Sequence, residues 1–246
     1  MLILSLDTSS PSGSLAVLRD EKVIGVVSTA TGEVYSSRMF RELDALLGKL
    51  GLRMEEFELF AVAAGPGSFT GLRVGLTAAK AWAEVYGKPI AAVSALEAVA
   101  QQSGAQVQGG APVIVPVLDA RRGQVYFGVY RRGDRGADDA GEGNALALDG
   151  EEYVMTPAEF FEVLHLRAGG GGIAIVTPAP EILSDAASRD AIRGLKASVE
   201  AASPVLAPFI GQIGYRQAQR GELANALTLD ANYVRRTDAE MHWKES

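Results

Sequence analysis

The chain opens with an apolar run at residues 2–6, closed by the turn-rich segment Asp7-Thr8-Ser9-Ser10-Pro11-Ser12-Gly13. Two more apolar runs, 14–18 and 23–28, follow on either side of Arg19-Asp20-Glu21-Lys22. Three runs of strand length joined by short polar turns predict an antiparallel meander. The period then changes. Between residues 34 and 50, Tyr35, Met39, Leu43, Leu46, Leu47 and Leu50 recur at the spacing of one helix face, and Gly51 stops the pattern. A buried-type strand at 59–64 follows, then a helix at 70–86 ended by Gly87 and Pro89, and a strand at 90–93. Ser94 and Glu97 form a capping box for a helix near 95–102. The first 103 residues therefore read β-β-β-α-β-α-β-α.

That order partly recurs. Strands at 113–118 and 124–131 flank a turn at 119–123, a weak strand falls within 145–155, and Thr156 and Pro157 open a helix to about residue 164. Strands at 173–176 and near 197–201 come next, and Ser203-Pro204 start a helix to about residue 220. The recurrence is one of element order, without repeated sequence. It predicts an α/β protein of two lobes, 1–103 and a smaller 104–246, each a sheet with a meander at one side. The Gln- and Gly-rich stretch 104–112 is the join, and the C-terminal segment is free to pack back on the first lobe. Residues 133–144 are too polar to pack and read as a long hairpin tip or a disordered loop, and 167–172 as a flexible connection.

Composition removes several chemistries. The chain has no cysteine, so disulfides, thiolate metal sites and a cysteine nucleophile are excluded. Its two histidines, His165 and His242, lie far apart and outside any HExxH pattern, which argues against a histidine-rich metal centre and against a Ser/His/Asp triad. A net charge of −7 argues against a protein that grips nucleic acid alone. The N-terminus lacks a basic region and a small-residue cleavage site and reads as a first strand, and no segment is a membrane span. Together these predict a cytoplasmic protein.

Four segments could carry chemistry, and each has two readings. Gly65-Pro66-Gly67-Ser68-Phe69-Thr70-Gly71-Leu72-Arg73-Val74-Gly75 joins a strand to a helix. Its glycines and free helix amides could cradle an anion, but it lacks the lysine of a P-loop and the spacing of a dinucleotide loop. It is equally a tight turn capped by Ser68 or Thr70. Asp7 ends the first strand, where it could sit near a metal and phosphates or simply close an Asx-turn. Asp119-Ala120-Arg121-Arg122-Gly123 could bind a polar ligand through Asp119 and Arg121, or be a charged hairpin tip. Finally, the 70–86 helix has one stripe of Leu72, Leu76, Ala79, Ala83 and Tyr86 and a second of Val74, Ala78, Ala81 and Val85. A helix apolar on two faces must be buried on both. With the leucine stripe of 34–50 it forms either a docking surface for another chain or an unusually apolar interior.

The segment Gly65-Pro66-Gly67-Ser68-Phe69-Thr70-Gly71-Leu72-Arg73-Val74-Gly75 closely resembles the signature of the bacterial TsaB family, also called YeaZ. Leu4-Ser5-Leu6-Asp7-Thr8-Ser9, Asp119-Ala120-Arg121-Arg122-Gly123-Gln124-Val125-Tyr126 and Tyr233-Val234-Arg235-Arg236-Thr237-Asp238-Ala239-Glu240 agree in the same order. The resemblance implies an actin-like fold and a part in making N6-threonylcarbamoyladenosine beside the anticodon of tRNAs that read codons beginning with A. It implies a non-catalytic partner of TsaD, which holds the metal and transfers the group, with TsaE and ATP completing the assembly. It places the TsaD contact on the helices 34–50 and 70–86, hence on Tyr35, Met39, Leu43, Leu46, Leu47, Leu50, Leu72, Leu76, Ala79 and Ala83. On this reading the chain has no catalytic residue, metal or cofactor of its own, pairs with a second copy when alone, and meets tRNA mainly through partners. Asp7, Gly67, Ser68, Thr70, Arg73, Asp119 and Arg121 are the candidate nucleotide or anion contacts. An actin-fold ATPase with its own turnover is the alternative they would support. A protease is excluded by the missing ligands and triad.

Overall fold

The computed structural model describes residues 1–10, 12–28, 35–106, 113–132, 146–167, 172–232 and 234. In chain order its elements are β1 (Leu2–Asp7), β2 (Ser14–Arg19), β3 (Lys22–Val27), α1 (Tyr35–Leu50), β4 (Leu59–Gly65), α2 (Phe69–Tyr86), β5 (Ile90–Ser94) and α3 (Ala95–Gln106). After these come β6 (Val113–Arg121), β7 (Gln124–Phe127), β8 (Tyr130–Arg132), β9 (Leu146–Leu148), β10 (Tyr153–Met155) and α4 (Pro157–Arg167). The chain continues with β11 (Ile173–Thr177), α5 (Ala186–Gly194), β12 (Ser198–Ala201) and α6 (Ala207–Gln219). Short 3-10 turns lie at Met54–Glu56 and Pro180–Leu183. Among the described residues no helix is long and apolar enough to cross a membrane.

The chain divides into two units, one of Met1–Ala98 with Ser203–Asn232 and one containing Val99–Ala202. In the first, the sheet order is β3-β2-β1-β4-β5, with β1 antiparallel to β2 and parallel to β4. Every residue of β1 is buried, because both faces of this sheet are covered, and so its sequence does not alternate. Leu2, Leu4, Leu6, Leu15 and Val17 pack in one cluster with Met39, Leu43, Leu46 and Leu47 of α1 and Leu72, Leu76, Ala79 and Ala83 of α2. The opposite face receives α6. There the buried Ser5 hydroxyl donates to the Ala207 carbonyl at 2.7 Å, and the Ser14 hydroxyl accepts from the Ala207 amide at 3.1 Å. Ser68 caps α2 and Gly87, at φ 62°, ends it in the left-handed conformation.

The second unit has a sheet of order β10-β7-β6-β11-β12, with β8 and β9 attached beside β6. Val113, Val115, Val117, Phe127, Ile173 and Ile175 meet Phe160, Phe161 and Leu164 of α4 in its core. The Phe127 and Phe160 rings are 4.8 Å apart at 72°, an edge-to-face pair.

Four local expectations change. The 124–131 strand breaks at Gly128 into β7 and β8, and the 145–155 strand resolves into β9 and β10. Helix α5 was not foreseen, because Ala186-Ala187-Ser188-Arg189-Asp190 is short and polar; its signal was Asp185, whose carboxylate accepts from the Ser188 amide. Helix α6 starts at Ala207 rather than at 203–204. Ser203 accepts from the Val205 amide at 3.1 Å in a turn, and Pro208 is the proline of the first helical turn. Residues 133–144, 107–112 and 168–171 lie outside the described residues.

Replacing Phe160, which is fully buried, with Ala is expected to destabilise the protein by about 3–5 kcal/mol, read by denaturant unfolding.

Candidate functional site

Asp7 is the last residue of β1, and its carboxylate is wholly buried. The chain turns immediately, so one oxygen accepts from the Ser9 amide at 2.7 Å and from the Ser9 hydroxyl at 2.6 Å. The other oxygen accepts from the Ser10 hydroxyl at 3.2 Å. This is an Asx-turn. Burial pushes the Asp7 carboxyl above the usual range, and the hydrogen bonds from Ser9 and Ser10 draw it partly back.

The glycine segment packs directly on this turn. A Cβ at Gly67 would lie 2.6 Å from both the Ser9 Cβ and the Ser9 carbonyl oxygen. One at Gly71 would collide with the Thr8 carbonyl oxygen, and one at Gly75 with the Thr8 hydroxyl. Hydrogen bonds lock the contact. The Ser68 amide donates to the Ser9 carbonyl at 2.8 Å, and the Thr8 hydroxyl donates to the Gly71 carbonyl at 2.7 Å. Ser68 in turn accepts from the Gly71 amide at 3.3 Å, so it is the N-cap. The close approach that these glycines permit is thus made by the chain itself. The structure favours the tight-turn reading of the segment over the anion cradle. Thr70 and Arg73 are exposed, and the Arg73 guanidinium lies 3.8 Å above the Phe69 ring.

In the second unit, the turn between β6 and β7 is held by Asp119. Its carboxylate accepts from the Arg121 amide at 2.7 Å and pairs with the Arg121 guanidinium at 3.2 Å. Arg121, Arg122 and Gly123 all have positive φ, 62°, 53° and 71°. Asp119 and Arg121 engage each other, as in a charged hairpin tip.

The two helices divide their apolar residues differently from the expectation. Met39, Leu43, Leu46, Leu47, Leu72, Leu76, Ala79 and Ala83 are all buried within the first unit, and Leu50 is partly buried against them. They close the core of this chain, so they are not themselves free surface. The side chain of Tyr35 lies outside the described residues. Outward, α1 presents Phe40, 58% exposed, and α2 presents Phe69, 40%, and Val85, 74%, with the half-buried Trp82 touching the Phe40 ring edge-on at 6.4 Å. Val85 belongs to the second stripe of the 70–86 helix. Phe40 and Trp82 were missed, although an aromatic residue one position off the leucine stripe was the available signal. Arg38 was also missed as a structural residue. Its side chain is only 1% exposed, donates to the Ser12 carbonyl at 3.2 Å and pairs with Glu42 at 3.3 Å. Among the described residues no group of three or more His, Cys, Asp or Glu could hold a metal.

A family model described as TsaD, tRNA N6-adenosine threonylcarbamoyltransferase, matches residues 16–159. The tRNA threonylcarbamoyladenosine biosynthesis protein TsaB of Haemophilus influenzae is 34% identical over 179 residues, which cover 71% of this chain and 74% of that protein. The chain belongs to the TsaB family. TsaB of Bacillus subtilis is 40% identical over 131 residues, covering 53% of this chain, so the chain spans about half (56%) of that relative's length. The model bears the name of TsaD and the relatives that of TsaB; the match over 74% of a TsaB decides between them. YeaZ from Pseudomonas aeruginosa superposes with a TM-score of 0.72 at 22% identity, over 94% of this chain and 99% of that one. A ROK hexokinase from Thermus thermophilus gives 0.50 at 11%, over 90% of this chain and 100% of that one. These likenesses assign the fold as actin-like, α/β, with a mixed sheet in each unit.

Two predictions follow from the contact between turn and helix. Gly71→Ala should destabilise the protein by about 3 kcal/mol or more, because its Cβ meets fixed backbone. Gly48→Ala, in α1 with nothing within 4 Å of the added carbon, should stabilise by about 0.5–1 kcal/mol. Thermal unfolding of both variants reads the contrast. The second concerns pH. A raised native pKa means that the stability present below the ordinary carboxylate range is lost as pH rises toward the native value, since the unfolded chain releases the proton first. Asp7→Asn removes that loss. Its stability relative to wild type should therefore climb from about pH 4 upward, as denaturant titrations at pH 4 and 7 would measure.

Proposed function

We propose that this chain is a non-catalytic component of threonylcarbamoyladenosine biosynthesis that docks on TsaD and activates it. The observation that carries this reading is the outward apolar surface of α1 and α2, centred on Phe40, Trp82 and Val85, in a chain of the TsaB family. Aromatic residues in a patch flanked by charges are the usual anchors of protein interfaces. The buried leucines expected at the contact act indirectly. Leu43, Leu46, Leu72 and Leu76 hold the two helices side by side on the sheet and so present the outer face as one surface.

On this reading the transfer chemistry, the metal and the ATP belong to the partners TsaD and TsaE, and tRNA is met mainly through them, in the cytoplasm. The net charge of −7 supports a protein that does not grip tRNA alone. The same surface pairs two copies of the chain when TsaD is absent. An ATPase of its own draws less support, because the Asp7 carboxylate is buried and engaged by Ser9 and Ser10 and the glycine segment packs against the turn after β1. Nucleotide calorimetry on the isolated chain tests that alternative, and clear binding with turnover would replace the present reading.

Phe40→Glu and Val85→Glu should each weaken TsaD binding by about 2 kcal/mol or more, about thirtyfold in Kd, while leaving the melting temperature unchanged. Leu46→Glu should instead unfold the chain, because the site is buried in its core. Affinity measurements alongside thermal melts check both, and a reconstituted tRNA-modification assay with and without this chain tests the role itself. Undiminished binding by both surface variants would place the contact elsewhere.

A further inference from the structure

After α6 the chain passes the start of β5 and reaches the end of β4, where Asn232 meets the first residue of the glycine segment. Ala224 pairs with the edge strand β5, each of Ala224 and Ile90 donating its amide to the other's carbonyl, at 2.8 and 2.9 Å. Asn225 then builds a turn: its side-chain oxygen accepts from the Leu227 and Thr228 amides at 2.9 and 3.0 Å. That turn delivers Leu229, 3% exposed, into the cluster that contains Phe60, Leu72 and Leu76. Asn232 finally donates its amide to the Ala64 carbonyl at 2.7 Å, next to the end of β4.

The landing point is specific. Gly65 has φ 126°, and a Cβ there would lie 2.5 Å from the Asn232 carbonyl oxygen. The glycine segment is therefore gripped from two directions. The turn after β1 holds it through Ser9, Thr8, Gly67 and Gly71, and residues 224–232 hold its first residue. Without the second grip, the start of α2 keeps the turn after β1 and its own core packing but loses the contacts made by Leu229 and Asn232. A buried leucine within the same cluster as α2 makes the grip a packing contact as well as a hydrogen bond.

We propose that residues 224–232 are a clasp that fixes the glycine segment and thereby the position of α2. The clasp makes the outward face of α2 depend on a part of the chain that lies, in sequence, beyond the whole second unit. It deepens the docking reading and rests on it only for its consequence for TsaD; the clasp itself is a property of the chain alone.

The test uses Leu229→Ala and Asn232→Pro variants of the whole 246-residue chain, the first removing the buried side chain and the second the donated amide. Hydrogen exchange is followed at the Ser68 and Leu72 amides, which donate to the Ser9 and Ser68 carbonyls, and at the amides of β1 and β2 as the internal reference. The expected result is exchange at least tenfold faster at Ser68 and Leu72, with β1 and β2 unchanged, and a matching loss of affinity for TsaD. Unchanged exchange at Ser68 and Leu72 in both variants would overturn the clasp. So would an equal acceleration through β1 and β2, because that reports general destabilisation. Because exchange is measured without TsaD, local acceleration supports the clasp even if the wild-type chain fails to bind TsaD, and that failure would then fall on the docking reading alone.

Discussion

Backbone meets backbone where α2 begins. The Gly67, Gly71 and Gly75 positions face the Thr8-Ser9 turn so closely that a single methyl group at any of them has nowhere to go. That contact sets the height of α2 over the sheet, and with it the depth to which Leu72 and Leu76 reach the core. It also encloses Asp7, which must then find its hydrogen-bond partners within its own turn. A buried acid and a run of glycines look like ligand chemistry when seen separately. In the fold the turn between them serves both: Ser9 and Ser10 satisfy Asp7, Thr8 and Ser9 fill the space the glycines leave, and the N-terminal amides that an anion would need are partly taken by Ser9 and Ser68.

The second organising feature is how α1 and α2 divide their apolar residues. Each helix carries more of them than one face of a sheet can cover. The wide stripe goes inward, where burial removes the most apolar area from water. Phe40, Phe69 and Val85 stay at the surface, and Phe40 gains partial cover from its edge-on contact with Trp82. Arg38 shows the same economy at the start of α1: its charge is buried, and a carbonyl oxygen and the Glu42 carboxylate compensate for the lost water. The link between the sequence pattern and a docking function therefore passes through the few residues left over after the core is closed.

Much of the fold was legible because its signals are local. Apolar runs of strand length located β1 to β5, and a period near four located α1 and α2, within one or two residues, and Gly51, Gly87 and Ser68 mark ends that the backbone itself requires. Short polar elements carried little signal, and so α5 was overlooked. Two prolines four residues apart, Pro204 and Pro208, offered competing starts for α6, and the hydroxyl of Ser203 settled the first of them as a turn.

The sequence by itself determined most of the strands and the longer helices, that no cysteine or histidine cluster could carry catalysis, and, through Gly65–Gly75, which family the chain resembles. Tertiary structure alone decided what those glycines approach, which leucines are core and which aromatics are surface, and that α6 and residues 224–232 return to the first sheet. The physical reason is range. Propensity, periodicity and capping act over a few residues, whereas Ser5 with Ala207, or Asn232 with Ala64, are brought together only when burial of apolar surface closes the whole sheet.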